Sequence, residues 1–109
     1  MSDEIYDKNL SIQLAGGNSE LAEQMFSMLC KALPEQRIAI NTALESGDME
    51  KLYQQVHKVT GSTRYCGVPA LADASEVLGR QLKNGNTSQL DVLIKNLNEE
   101  IDRLIKLSH

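Results

Sequence analysis

Asp48 to Tyr65 reads DMEKLYQQVHKVTGSTRY, and the spacing of its apolar residues decides the fold. Met49, Leu52, Val56 and Val59 recur at intervals of 3, 4 and 3, which stacks them along one stripe of an α-helix. Asp48 stands where an N-cap is needed, because its carboxylate can accept from the free N–H groups of the first turn. The stretch therefore predicts a one-sided helix that must lean on other elements.

Turn clusters are sparse on either side, and they cut the chain into four more segments. Upstream of Ser46-Gly47-Asp48, the spacing predicts a helix from Ser19 to about Leu44, with Leu21, Met25, Met28, Leu29 and Ala32 on its buried face. Glu20 and Glu23 suit its N-terminal dipole, and Pro34 is expected to kink the rod or divide it in two. Before the Gly16-Gly17-Asn18-Ser19 turn, Glu4 to Ala15 reads as a short helix with irregular Ile5, Leu10, Ile12 and Leu14. Downstream, Gly67 is a helix stop and Pro69 belongs in the first turn of the next helix. That helix carries Val68, Leu71, Ala74 or Ser75, Leu78 and Leu82. After the turn from Lys83 to Thr87, the last segment runs to about Leu107 with Leu90, Leu93, Leu97, Ile101 and Leu104 inward, and Ser88 and Asp91 in capping-box spacing. The expected fold is all-α, an antiparallel four-helix bundle with an additional short N-terminal helix.

Composition agrees with one such domain over residues 1–109. The chain has 41% hydrophobic but only 4% aromatic residues, so packing must rest on Leu, Ile, Val, Met and Ala, a set that favours helices. A net charge of -4 argues against a general nucleic-acid binder, whose surface would be basic. No apolar run approaches the roughly 18 residues of a membrane span, and Met1 to Leu10 is acidic where a signal peptide would be basic and then apolar. A cytoplasmic location is expected, with no direct membrane insertion. Cys30 and Cys66 show no zinc-site spacing and are read as reduced thiols in or near the core.

The motifs of common enzymes are missing: no HExxH, GxSxG, GxxxxGK[ST] or EF-hand loop occurs. Cys66 and His57 cannot form a thiol–imidazole dyad, since the helix between them separates them by roughly 13 Å. What remains is His57 itself. At about 100° per residue, with Met49 at zero, the buried stripe centres near 310° and His57 falls near 80°, so its ring should face solvent. An exposed histidine is usually an ordinary surface residue, but its surroundings are not ordinary. Gly61 sits one turn beyond it in a helix interior, where glycine costs about 1 kcal/mol relative to alanine, and clears room for another backbone to approach. Lys58, Arg64 and Gln54 add positive charge and donors near the ring. A neutral imidazole among cations suits nucleophilic capture of a phosphoryl group.

His57-Lys58-Val59-Thr60-Gly61-Ser62, followed by Tyr65-Cys66-Gly67-Val68-Pro69-Ala70-Leu71, closely resembles the signature of the histidine phosphotransfer (HPt) family. The likeness covers most of the chain, including Phe26 to Pro34, and is greatest to the C-terminal phosphotransfer domains of BarA-type hybrid sensor kinases. It implies a four-helix bundle in which His57 shuttles a phosphoryl group between aspartates of two receiver domains, one of a hybrid sensor kinase and one of a response regulator. It also implies that Lys58 helps neutralise the phosphoryl group and that Gly61 permits receiver docking. One position departs from the pattern: many members carry a Gln or Glu on the fourth helix that can hydrogen-bond the imidazole, and here it is Gly79. Glu76, Arg80 or a water are the alternatives for that contact.

Without nucleotide-binding motifs the chain is expected to be a carrier rather than an enzyme, loaded from a partner's aspartyl phosphate and not from ATP. It should need no cofactor of its own, with Mg²⁺ held in the receiver's acidic pocket. A monomer is expected, because the segments can close a bundle internally. Two other readings compete. A helical adaptor or dimerisation module would show a large exposed apolar stripe and indifference to His57. A helix-turn-helix reading of Gly67 to Leu82 would need clustered Lys and Arg for phosphate contacts.

Overall fold

A computed structural model describes residues 4–108, so the first three residues and the last of the expected domain lie outside the described residues. Five helices follow one another: α1 (Lys8–Leu14), α2 (Ser19–Ser46), α3 (Met49–Thr63), α4 (Pro69–Lys83) and α5 (Leu90–Leu107). There is no strand among the described residues.

Local chemistry sets most of the boundaries. The Asp7, Asn18 and Asp48 side chains each accept from a backbone N–H in the first turn of α1, α2 and α3, at 3.0 Å in all three cases. α1 therefore begins at Lys8 rather than at Glu4. α2 ends at Gly47, which takes the left-handed conformation at φ +73°, where a residue without Cβ is unstrained. Pro69 opens α4, where its missing N–H costs nothing.

Three expectations are corrected. α2 is not divided at Pro34 but runs through it for 28 residues. At 1.5 Å per residue such a rod is about 42 Å long, matching the molecule's longest dimension of 41 Å. The turns on both sides are anchored by fully buried Leu33 and Ile40, and their burial outweighs one lost backbone hydrogen bond. Second, the buried face of α2 carries Ala22, Leu29, Cys30, Leu33, Ile40 and Ala43, while Leu21 and Met28 are exposed. Third, the capping box of α5 does not form: the Ser88 hydroxyl donates to Asn86 Oδ1 at 2.8 Å, and the helix starts at Leu90 without a side-chain cap. In α5 Ile94 lies in the core beside Leu97, Ile101 and Leu104, and Leu90 and Leu93 are half-buried.

Helix α2 packs on α3, α3 on α4, α4 on α5 and α5 back on α2, with no diagonal pair in contact. This closed ring of sequential neighbours is the antiparallel four-helix bundle, with α1 packed on α2 as the additional short helix. Val56, Val59, Leu78, Leu97 and Ile101 fill its centre with no exposed surface. An Arg37–Asp102 ion pair links α2 to α5 at the surface.

The chain before and within α1 is clamped over the α3–α4 turn. Asp7 N–H donates to the Gly67 carbonyl at 2.8 Å, and Ala70 N–H to that of Glu4 at 2.9 Å. Gly67 has φ +67°, and a Cβ there would stand 2.7 Å from both the Asp7 carbonyl oxygen and the Ser11 nitrogen. Only glycine fits that crossing. Beside it, the Tyr6 and Phe26 rings pack with centroids 4.2 Å apart.

Candidate functional site

Burial of Leu52, Val56 and Val59, none with exposed surface, fixes which way α3 faces, and His57 stands exposed on its outer side. The helix is tied to α4 one turn further on. Thr60 Oγ1 lies 3.2 Å from the Val56 carbonyl and 3.0 Å from Ser75 Oγ, which donates in turn to the Ala72 carbonyl at 3.0 Å. These buried hydroxyls are satisfied, and they hold the α3–α4 spacing beside the imidazole.

That spacing leaves an open groove of about 290 Å³ lined by Tyr53, His57, Thr60 and Arg64 of α3 and its C-cap, and by Glu76, Gly79, Arg80 and Lys83 of α4. The Tyr53 and His57 rings are roughly parallel, 25° between planes and 5.9 Å between centroids. A Cβ built on Gly79 would meet only Val56 Cγ1, at 3.7 Å, so the missing side chain leaves space in the groove.

The five residues singled out from sequence divide about His57. Arg64 lines the groove with it. Gln54, Lys58 and Gly61 are exposed but do not line it, because at about 100° per residue they fall on the side of the ring away from α4. Nothing lies within 4 Å of where a Gly61 Cβ would be, so that side is open to an approaching molecule. Further round towards α2, Ser62 Oγ donates to the Lys58 carbonyl at 3.0 Å and accepts from Gln36 Nε2 at 3.5 Å. Beyond it lies an apolar hollow of about 270 Å³, lined by Met25, Met28, Leu29, Ala32, Ser62 and Cys66.

Both cysteines are buried free thiols. Burial pushes each thiol up from its ordinary range, Cys66 further helped by the nearby Cys30 and Cys30 partly offset by a hydrogen bond to Ser108. Cys66 Sγ donates to the Ser62 carbonyl at 3.3 Å, on the hollow rather than the groove. Among the described residues, no three of His, Cys, Asp or Glu converge as a metal-binding set.

Sequence reasoning missed Tyr53, Thr60 and Lys83 as groove residues. Tyr53 and Thr60 stand four before and three after His57, so the helical arithmetic that exposed the histidine also reaches them. No local signal brings Lys83 to the site, which depends on how α4 crosses α3.

The Hpt domain family model matches residues 24–106. The chain is 34% identical over 100 residues to the sensor protein GacS of Pseudomonas syringae pv. syringae, covering 92% of this chain and 11% of that protein. It is 31% identical over 101 residues to the signal transduction histidine-protein kinase BarA of Escherichia coli K12, with 92% and 11% covered. The chain thus spans only about a tenth of the length of these curated relatives. Among solved structures, the HPT domain of a sensor hybrid histidine kinase from Shewanella superposes with a TM-score of 0.87 at 29% identity, covering 94% of this chain and 89% of that one. The histidine-containing phosphotransfer protein HptB of Pseudomonas aeruginosa superposes with a TM-score of 0.82 at 19% identity, covering 97% and 92%, a likeness of fold.

Proposed function

The chain belongs to the Hpt domain family, and from that premise we propose that it is a phosphorelay intermediate whose carrier atom is on His57. The observation that carries the reading is a solvent-facing imidazole on a rigid helix with unobstructed space beside it at Gly61. A buried histidine could not meet a second protein's aspartyl phosphate, and a ring beside a large side chain could not be approached in line.

Transfer then proceeds by displacement. The lone pair of His57 Nε2 attacks the phosphorus of the acyl phosphate, the P–O bond to the aspartate breaks, and the carboxylate leaves with that electron pair. Nδ1, the nitrogen nearer the helix backbone, holds the ring proton while the bond forms, giving an N-phosphoimidazolium that rests as the neutral-ring N-phosphoimidazole once Nδ1 releases that proton to water. Passing the group to the next aspartate is the reverse displacement. Positioning and charge neutralisation carry the catalysis. Lys58 supplies a cation from this chain, and Mg²⁺ belongs to the receiver's carboxylates.

Receivers of a hybrid sensor kinase and of a response regulator are the proposed partners, docking over Gln54, Lys58 and Gly61 towards the apolar hollow. In this reading the domain is a monomeric cytoplasmic carrier that takes nothing directly from ATP. No described helix is long and apolar enough to cross a membrane. The adaptor reading has less support, because the exposed apolar side chains, among them Met28, Ile38, Val77 and Val92, are spread over α2, α4 and α5 rather than gathered on one stripe.

Incubation with a phosphorylated receiver and Mg²⁺ tests the reading. Label should move to the wild-type chain and not to His57→Gln, and transfer to that variant at the wild-type rate would overturn it.

A further inference from the structure

Arg64, Arg80 and Lys83 meet around the α3–α4 groove with His57 at its edge. None of the three is in an ion pair among the described residues, whose ion pairs are Arg37–Asp102 and Arg103–Glu100. The one carboxylate in the groove is Glu76, so its charged side chains leave an excess of two positive charges in a molecule whose net charge is -4. An acidic protein that gathers free cations in a concave site beside a nucleophile has a site suited to an anion. The empty position at Gly79 gives that anion room, since a long side chain there would occupy the groove.

We propose that this groove is the resting seat of the phosphoryl group once it is on His57, and that Arg80 and Lys83 hold it there. The proposal rests on His57 being the carrier. Arg80 and Lys83, three residues apart on α4, share a helix face and approach the imidazole from the side opposite Gly61. They are positioning residues that act after transfer, when the receiver has left the Gly61 side. Their effect is on lifetime: P–N bonds of this kind hydrolyse by protonation of the phosphoramidate, water then taking the phosphoryl group as the imidazole leaves. Cations against the phosphoryl oxygens disfavour that protonation. The same two side chains therefore stand in for the missing helix-four contact at Gly79 by gripping the phosphoryl group rather than the ring.

The test loads wild type, Arg80→Gln, Lys83→Gln and the double variant from a phosphorylated receiver. The donor is then removed and the loss of acid-labile phosphate from the chain is followed. Phosphohistidine half-life should fall by about two- to fivefold in each single variant, the range expected for one exposed charge contact, and further in the double. Arg80→Lys should restore most of it, while thermal unfolding of all variants stays at the wild-type midpoint. An unchanged half-life in the double variant would overturn the seat while leaving His57 as carrier. Label that persists in His57→Gln would overturn the carrier and the seat together.

Discussion

At His57 the decisive quantity is an angle. The four inward residues of α3 put the imidazole outside, and the structure exposes it. Gly61 is the second half of that arrangement, because the space around it is empty. Gly61→Gln should cut the rate of transfer from a receiver by at least about tenfold, since small displacements of reacting groups are costly. The same change should raise helix stability by up to about 1 kcal/mol, because glycine is replaced in a helix interior. Stopped-flow transfer and urea unfolding on one preparation check both signs, and unchanged transfer would remove close approach at Gly61 from the mechanism.

The cysteines give a pH dependence of known sign. Their thiols ordinarily titrate near 9.0, and burial raises that value in the folded chain. Between about pH 9 and the higher folded value, the unfolded chain releases these protons while the folded chain keeps them. Stability is thus fully present below pH 9 and falls as pH rises beyond it, by at most about 1.4 kcal/mol per pH unit for each thiol. Urea midpoints measured from pH 8 to 10 should fall less steeply in Cys66→Ala than in wild type, and parallel curves would contradict the assignment.

At the scale of helices, the short connections and the apolar stripes of α3 and α4 were legible. The N-cap expected at Asp48 forms, and Asp7 and Asn18 cap α1 and α2 in the same way. What was not legible came from competition between elements. The spacing within α2 puts Leu21, Met25, Met28, Leu29 and Ala32 on one face; of these Leu29 is buried, Met25 and Ala32 are half-buried, and Leu21 and Met28 are exposed. The partners it meets add Ala22, Leu33 and Ile40 to Leu29, and nothing within α2 encodes where α3 and α5 will lie. Pro34 reads locally as a kink or a break, and the break does not occur because buried residues on both sides hold the helix together. Ser88 and Asp91 have capping-box spacing, but Asn86 Oδ1 accepts the Ser88 N–H that the Asp91 carboxylate would have taken, and the Ser88 hydroxyl as well. The clamp of the chain before α1 onto Gly67 leaves a single glycine as its trace. Gly67→Ala should destabilise the domain by about 2 kcal/mol or more, from left-handed backbone strain together with the clash against Asp7 and Ser11. Thermal unfolding measures this, and a loss below about 0.5 kcal/mol would contradict the close crossing.

At the scale of the molecule, length, composition and periodicity reach the bundle, and the HKxxGS signature reaches the family. Net charge was the poorest guide to the site, because -4 is a sum over the whole chain while Arg64, Arg80 and Lys83 converge beside His57. Half of the groove comes from α4, whose register against α3 is set by the core and by the Thr60–Ser75 contact. The sequence around His57 therefore describes the open face proposed to meet a partner, whereas the groove proposed to hold the cargo depends on the bundle closing.

The measurement that bears most directly on the central claim is the position of the phosphoryl group itself. The wild-type chain would be loaded from a phosphorylated receiver, digested under alkaline conditions that preserve phosphoramidates, and mapped by tandem mass spectrometry. The account predicts a single phosphorylated residue, His57, whose label returns to a fresh receiver's aspartate. Phosphate on any other residue, or a receiver that loses its label no faster with this chain than alone, would contradict it.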